Sequence, residues 1–211
     1  MGVFNNTRNY TYANIRRGKV VIKEGETYKE WGGIEGLLTD IQIVEDEYQG
    51  TKYKKLCLIL EDGIDRFNFQ MKLDSGYGRA VCSKLPNCDF GHAIKFQPTY
   101  EVVDDKPKTG MFLNQGATAI KAAYTNDNPN GRPPLEKAEF KGKVMYDNTE
   151  QLAFYENVLL NEIKPKLQHP AISGPAHQFG DTPAARSAET YTRPQVPNAA
   201  DITEPVDDLP F

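Results

Sequence analysis

Leu56-Cys57-Leu58-Ile59-Leu60-Glu61-Asp62-Gly63-Ile64-Asp65-Arg66-Phe67-Asn68-Phe69-Gln70-Met71-Lys72 reads as two strands joined by a tight turn. Successive side chains on a strand point to opposite faces, so residues two apart share a face. Phe67, Phe69 and Met71 make one face of the second strand; Arg66, Asn68, Gln70 and Lys72 make the other. That second face carries no apolar residue and therefore points to water or to a ligand. On the first strand Leu56, Leu58 and Leu60 lie together, with Tyr53, Lys55, Cys57 and Ile59 opposite them. Asp62-Gly63 between two such runs is a strong hairpin signal, because both residues tolerate the positive φ of a two-residue turn.

Upstream, Leu37, Thr39, Ile41 and Ile43 alternate with Leu38, Asp40, Gln42 and Val44, the period of another strand. Residues 45–51, polar and containing Gly50, read as the loop between them. Downstream, 75–85 reads as a short helix with Ser75 as its N-cap, stopped by Pro86. Ile94 and Phe96 open a fourth strand running to about Val103, 104–110 is turn-rich, and a fifth strand system follows over 111–124. Three strands, a helix and two strands is the order of an OB-fold, a five-stranded barrel. In that fold the face of the second and third strands, with the loops joining strands one to two and four to five, takes up oligonucleotides.

Residues 1–32 form a β extension ahead of this 33–124 core. Val20, Val21 and Ile22 suggest a strand, and Lys23-Glu24-Gly25-Glu26 a turn into a second. Behind the core, 126–134 is a loop by composition, 140–145 a short strand, and 148–164 a helix that packs on the core. Asp147 and Glu150 resemble a capping box at its start, and Leu152, Tyr155, Leu159 and Ile163 fall on one stripe. From 165 onward the character changes: eight of the fourteen prolines lie in 165–211, with three bases and six acids. Such a stretch cannot bury enough surface to offset its ordering entropy and is expected to be a disordered tether. No apolar run is long enough to span a bilayer, and Met1-Gly2-Val3-Phe4-Asn5-Asn6 lacks the shape of a signal peptide. Three cysteines make no disulfide framework, which together points to a reducing cytoplasm.

No enzyme signature is present. Gly76-Tyr77-Gly78 is the only GxG and lacks both the strand-turn-helix context and the third glycine of a dinucleotide site. Cys82, Cys88 and His92, with Cys57 approaching across the barrel, are the right types for zinc, but Cys-x5-Cys-x3-His is not the tight spacing of a zinc knuckle. Buried or idle thiols explain them as well, so no cofactor is assigned. The nucleic-acid pattern is richer. Tyr48, Lys52, Tyr53 and Lys55 occupy the first loop and the start of the second strand, and Arg66, Asn68, Gln70 and Lys72 the third. Lys106 and Lys108 lie in the loop between strands four and five. Residues 1–31 add Tyr10, Tyr12, Lys23 and Tyr28, and above all Arg16, Arg17, Lys19 and Trp31. Aromatics for stacking within a basic groove are what sequence-tolerant single-strand binding needs. The formal charge of −4 does not oppose this, since phosphate binding depends on local basic stripes.

The last residues, Asp207-Asp208-Leu209-Pro210-Phe211, join two carboxylates to an aromatic tip. A short peptide of this kind docks in an apolar notch rimmed by Lys or Arg. With that ending, the barrel order and the tether, the chain resembles the single-stranded DNA-binding proteins, and a phage or prophage version most. The resemblance implies coating of single-stranded DNA in replication, recombination and repair, with replication and repair proteins recruited by Asp207, Asp208, Leu209, Pro210 and Phe211. It departs from the bacterial form in its first 32 residues and its 148–164 helix, which leaves the oligomeric state open. A protein-binding adaptor that never touches DNA is the competing expectation, and a small metalloenzyme using the Cys/His cluster a third.

Overall fold

The period-two alternation builds a hairpin at the centre of the molecule. β5 (Thr51–Asp62) pairs antiparallel with β6 (Asp65–Lys72) through Leu56↔Met71, Leu58↔Phe69 and Leu60↔Phe67. β4 (Ile34–Tyr48) lies on the other side of β5. The computed structural model describes residues 10–140 and 143–167. Three strands precede the hairpin unit, β1 (Thr11–Arg16), β2 (Lys19–Glu24) and β3 (Thr27–Trp31), and three follow it, β7 (Ile94–Val103), β8 (Lys106–Gln115) and β9 (Thr118–Ala119). Together they form one sheet in the order β3-β2-β1-β6-β5-β4-β7-β8-β9. The chain is mainly β, with a few short helices.

The inner face of the sheet carries Ala13, Val20, Leu38, Ile41, Leu58, Phe69, Phe96 and Leu113, all buried in one core. Phe69 meets Phe96 edge to face, with ring centroids 5.8 Å apart. α1 (Gly76–Lys84) adds Val81 and Cys82 to that core, and Leu85 follows from the short 3-10 turn that carries Pro86. Ser75 is the expected N-cap, its hydroxyl accepting from the Gly78 N–H at 3.1 Å.

Close packing explains the Gly76-Tyr77-Gly78 run. A Cβ on Gly78 would lie 2.4 Å from the Lys72 carbonyl oxygen, and one on Gly76 2.5 Å from that of Thr109. Gly78→Ala is therefore expected to cost ~1–3 kcal/mol, the range for overpacking. Gly32→Ala, with open space around its Cβ, is expected to leave the melt unchanged. Equal melting temperatures for the two variants in a circular-dichroism scan would contradict this packing.

Several expectations are corrected. The N-terminal extension has three strands, and it is continuous with the core sheet, since β1 pairs parallel with β6 through Thr11↔Phe67, Tyr12↔Asn68 and Ala13↔Phe69. Its β1–β2 turn also reaches β7. Gly18 has φ +73°, its N–H donates to the Tyr77 hydroxyl at 3.0 Å, and a Cβ there would lie 2.8 Å from the Tyr100 nitrogen. Residues 45–51 are mostly strand, because Gln49 and Gly50 take φ values of 50° and 78° and turn the chain in two residues. The 104–110 loop likewise shrinks to Asp104-Asp105, at φ 51° and 58°, Asp being one of the few residues to accept this conformation. A β-bulge between Leu38 and Asp40 shifts the alternation of β4, so Leu38 and Ile41 both face inward. The expected 140–145 strand is a separate hairpin of β10 (Glu136–Phe140) and β11 (Lys143–Asp147).

The C-terminal helical run starts at Thr149 with Asn148 as its N-cap, not through the expected Asp147/Glu150 capping box, and outlasts its expected stop. α2 (Thr149–Asn157) starts where Asp147 Oδ1 accepts from the Thr149 N–H at 2.8 Å. A π-helical stretch, Val158–Ile163, leads into α3 (Lys164–Leu167), which contains Pro165. Proline removes a donor and crowds the carbonyl four residues earlier, and the wider π turn there accommodates it. Tyr155, Leu159 and Ile163 bury their stripe in the main core. Lys164 donates to the Ile41 carbonyl at 2.9 Å and pairs with Asp40 at 3.0 Å. The tail from 168, with the Asp207–Phe211 tip, lies outside the described residues.

Candidate nucleic-acid interface

Strand register assembles the outer face of β4, β5 and β6 row by row. Val44, Lys55 and Lys72 stand side by side, then Gln42, Cys57 and Gln70, then Asp40, Ile59 and Asn68. The parallel pairing of β1 extends the last row to Tyr12. Asp46 faces Tyr53 and Tyr48 faces Thr51 on the same side of the protruding β4–β5 arm, while Glu61 faces Arg66 at the other end. The expected residues Tyr48, Tyr53, Lys55, Arg66, Asn68, Gln70 and Lys72 are thus brought to one face.

Electrostatics divides the cations of this face into engaged and available ones. Lys55 forms an ion pair with Asp46, whose other partners are the Glu47 N–H at 2.8 Å and the Tyr53 hydroxyl at 3.0 Å. Lys55 foremost, then these two donors, hold the Asp46 carboxyl down at about 2 from an ordinary 3.8. Burial, then the Asp46 carboxylate, pushes the Tyr53 hydroxyl pKa up. Arg66 pairs with Glu61 at 2.8 Å. Lys72 pairs with no carboxylate among the described residues, and its Nζ stands 4.7 Å from the centroid of the Tyr53 ring. The Tyr53 ring and Lys72 ammonium are the stacking surface and cation placed closest together. Asn68 is 9% exposed, and its Oδ1 has no hydrogen-bond partner among the described residues. Such an orphan is uncommon in a sheet centre, where buried polar atoms are nearly always paired.

Other expected residues fall elsewhere. Lys52 faces Glu47 on the opposite side of the arm from Tyr53, because it is one residue out of phase. Trp31 stands opposite Val20 and so lies on the inner side of β3, though half exposed at the sheet edge. Arg16 and Lys19 flank the β1–β2 turn on the outer face, and Arg17 sits in the turn at φ 44°. Lys106 and Lys108 are exposed on β8, on the side away from Met111 and Leu113. Asp46 carries a role that the sequence did not suggest, and Tyr12, expected only as one aromatic of the N-terminal stretch, is placed beside Asn68. A two-residue reading of Gln49-Gly50 would have placed Asp46 opposite Tyr53; the β1–β6 pairing that places Tyr12 has no local mark.

The Cys/His cluster does not form. Cys82 is fully buried in the core, Cys57 lies beneath the outer face, and His92 is exposed with its Nδ1 2.9 Å from Asp89. Among the described residues no group of three or more His, Cys, Asp or Glu side chains converges to hold a metal. Burial pushes the Cys88 thiol up to about 11 and Cys82 higher still, both unfavourable to a metal-binding thiolate. Among the described residues no helix is long and apolar enough to cross a membrane. No family model matches the chain, and no curated protein or solved structure does either.

Proposed function

We propose that this protein binds single-stranded DNA without sequence preference, serving replication, recombination and repair, with β4 to β8 as an OB-type scaffold. The observation that carries this is the outer face of β5 and β6, where Lys72 Nζ stands 4.7 Å from the Tyr53 ring and Gln70 and Asn68 follow Lys72 on the same side of β6. Stacking on the ring and phosphate neutralisation by the lysine need no base identity. The scaffold assignment rests on the order of β4, β5, β6, α1, β7 and β8 and on the pairing of β7 with the start of β4. It departs from a closed barrel: among the described residues the sheet order has two free ends, and β1, not β8, pairs with the outer edge of β6. The Asp207–Phe211 segment would recruit partner proteins, a role that rests on its sequence alone. Exposed Val102 and Phe112 on the β7–β8 arm favour the adaptor alternative, in which these side chains contact protein.

Titration of fluorescent oligo(dT) separates the two. Binding is expected at low salt and to fall linearly on a log–log salt plot, with a slope of about −0.7 per phosphate contact. No binding at low salt, or preference for duplex, would overturn the proposal.

The Asp46 ion pair yields a further expectation. Asp46→Asn removes an anion from the face and releases Lys55, so oligo(dT) affinity should rise roughly threefold to tenfold and the salt slope steepen by about 0.7. In the wild type the clamp persists throughout neutral and mildly acidic pH. Its stabilisation is complete above the ordinary 3.8 and is lost as pH falls through about 2, because the folded carboxyl has the lower pKa. An unchanged or lower affinity for Asp46→Asn would show that Lys55 is not on the DNA path.

A further inference from the structure

The outer face does not stop at β6. Tyr12 on β1 adjoins Asn68, and one step beyond the Ala13↔Ile22 pair sets Tyr12 opposite Lys23, which in turn faces Tyr28 on β3. Tyr12 is 56% and Tyr28 65% exposed, the two most accessible aromatic side chains of the N-terminal strands. Charge is sorted across these strands. The outer side holds Arg16, Lys19 and Lys23 against Glu30 alone, whereas Glu24 pairs with Lys29 at 2.5 Å on the inner side. Arg16, Lys19 and Lys23 enter no ion pair among the described residues.

We infer that a single strand of DNA leaving β5–β6 continues across β1, β2 and β3, stacking on Tyr12 and Tyr28 with Lys23 neutralising the phosphate between them. This rests on the proposed function and extends its site. Three strand spacings of about 4.8 Å carry the path roughly 14 Å past Asn68. The pattern of aromatic, cation, aromatic along a continuous row is the one that tracks a strand without reading its bases. Trp31, the only tryptophan, lies on the inner side and takes no part.

The test compares oligo(dT) of about 6 and about 20 nucleotides, one near the lower end of single-fold site sizes and one beyond their upper end. The full-length wild-type protein should bind the longer probe more tightly. Tyr12→Ala/Tyr28→Ala should weaken the longer probe by roughly 10- to 100-fold and leave the shorter one nearly unaffected. Lys23→Glu, a surface change that does not rely on removing aromatics, should also weaken the longer probe selectively. Trp31→Ala should change neither. A wild type that ignores both probes refutes the function itself. A wild type that binds both, with the length advantage kept in the tyrosine pair and in Lys23→Glu, or lost in Trp31→Ala alone, overturns this extension and leaves the β5–β6 site standing.

Discussion

Tyr53→Ala combined with Lys72→Ala is expected to weaken oligo(dT) binding by roughly 100-fold while the thermal midpoint stays close to wild type. Stacking of one base on an aromatic contributes ~1–3 kcal/mol by truncation. Loss of Lys72 removes a phosphate contact, so the salt slope should also shallow by about 0.7. The two effects should not simply add. Lys72 Nζ stands 4.7 Å from the Tyr53 centroid, and each side chain holds the other in place. The single variants should therefore each show much of the loss of the pair. Lys55→Ala makes the decisive comparison, since its ammonium already neutralises Asp46. It should cost clearly less affinity than Lys72→Ala, although both residues lie in one cross-strand row. Anisotropy titrations at three salt concentrations, with a circular-dichroism melt for each variant, measure all of this. Equal losses for the two lysines would mean that DNA displaces the Asp46 clamp, and normal binding by the double variant would move the site elsewhere.

What could be read in advance follows from where the physics is local. The split of Phe67, Phe69 and Met71 from Arg66, Asn68, Gln70 and Lys72 was legible because burial on one side alone imposes a period of two. The arms beyond the core were misread for the converse reason. Glu45, Glu47, Lys52 and Lys54, and likewise Lys106 and Lys108, extend past the core and have no buried face to mark them. Only the left-handed pairs Gln49-Gly50 and Asp104-Asp105 reveal that these segments are hairpins. The Thr39 bulge inverted half of β4 without a glycine to signal it.

Non-local pairing hid the rest. Nothing near Tyr12 announces that Asn68 is its neighbour, because a parallel pair between distant segments leaves no turn in the sequence. Trp31 drew attention as the larger aromatic, yet its pairing with Val20 turns it away from the face that Tyr28 shares. The cysteines were ambiguous for a different reason: a thiol among apolar residues suits a core or a metal equally. Position decides, and Cys82 sits at zero exposure between α1 and the sheet interior.

Phe69→Ala tests the assignment of the two faces on which the site depends. Phe69 is fully buried, stands between Leu58 and Ala13 by register, and meets the Phe96 ring edge-on. Truncation should cost ~3–5 kcal/mol, the transfer term plus a cavity that rigid neighbours cannot fill. Against a typical net stability of about 5–15 kcal/mol that is a large fraction. At about 2–4 °C per kcal/mol for a chain of this size, the midpoint should fall by ~6–20 °C. Phe112→Ala provides the contrast with the same side chain removed. Its ring is 57% exposed and its noted partner is Lys84 Nζ at 5.3 Å, so the cost should stay near 1 kcal/mol. DNA binding by Phe69→Ala, measured well below its midpoint, should match wild type, because no outer side chain is altered. The reverse outcome, a normal melt with lost binding, would place Phe69 on the ligand side. By strict strand alternation it would then turn Lys72 inward and take the proposed site with it.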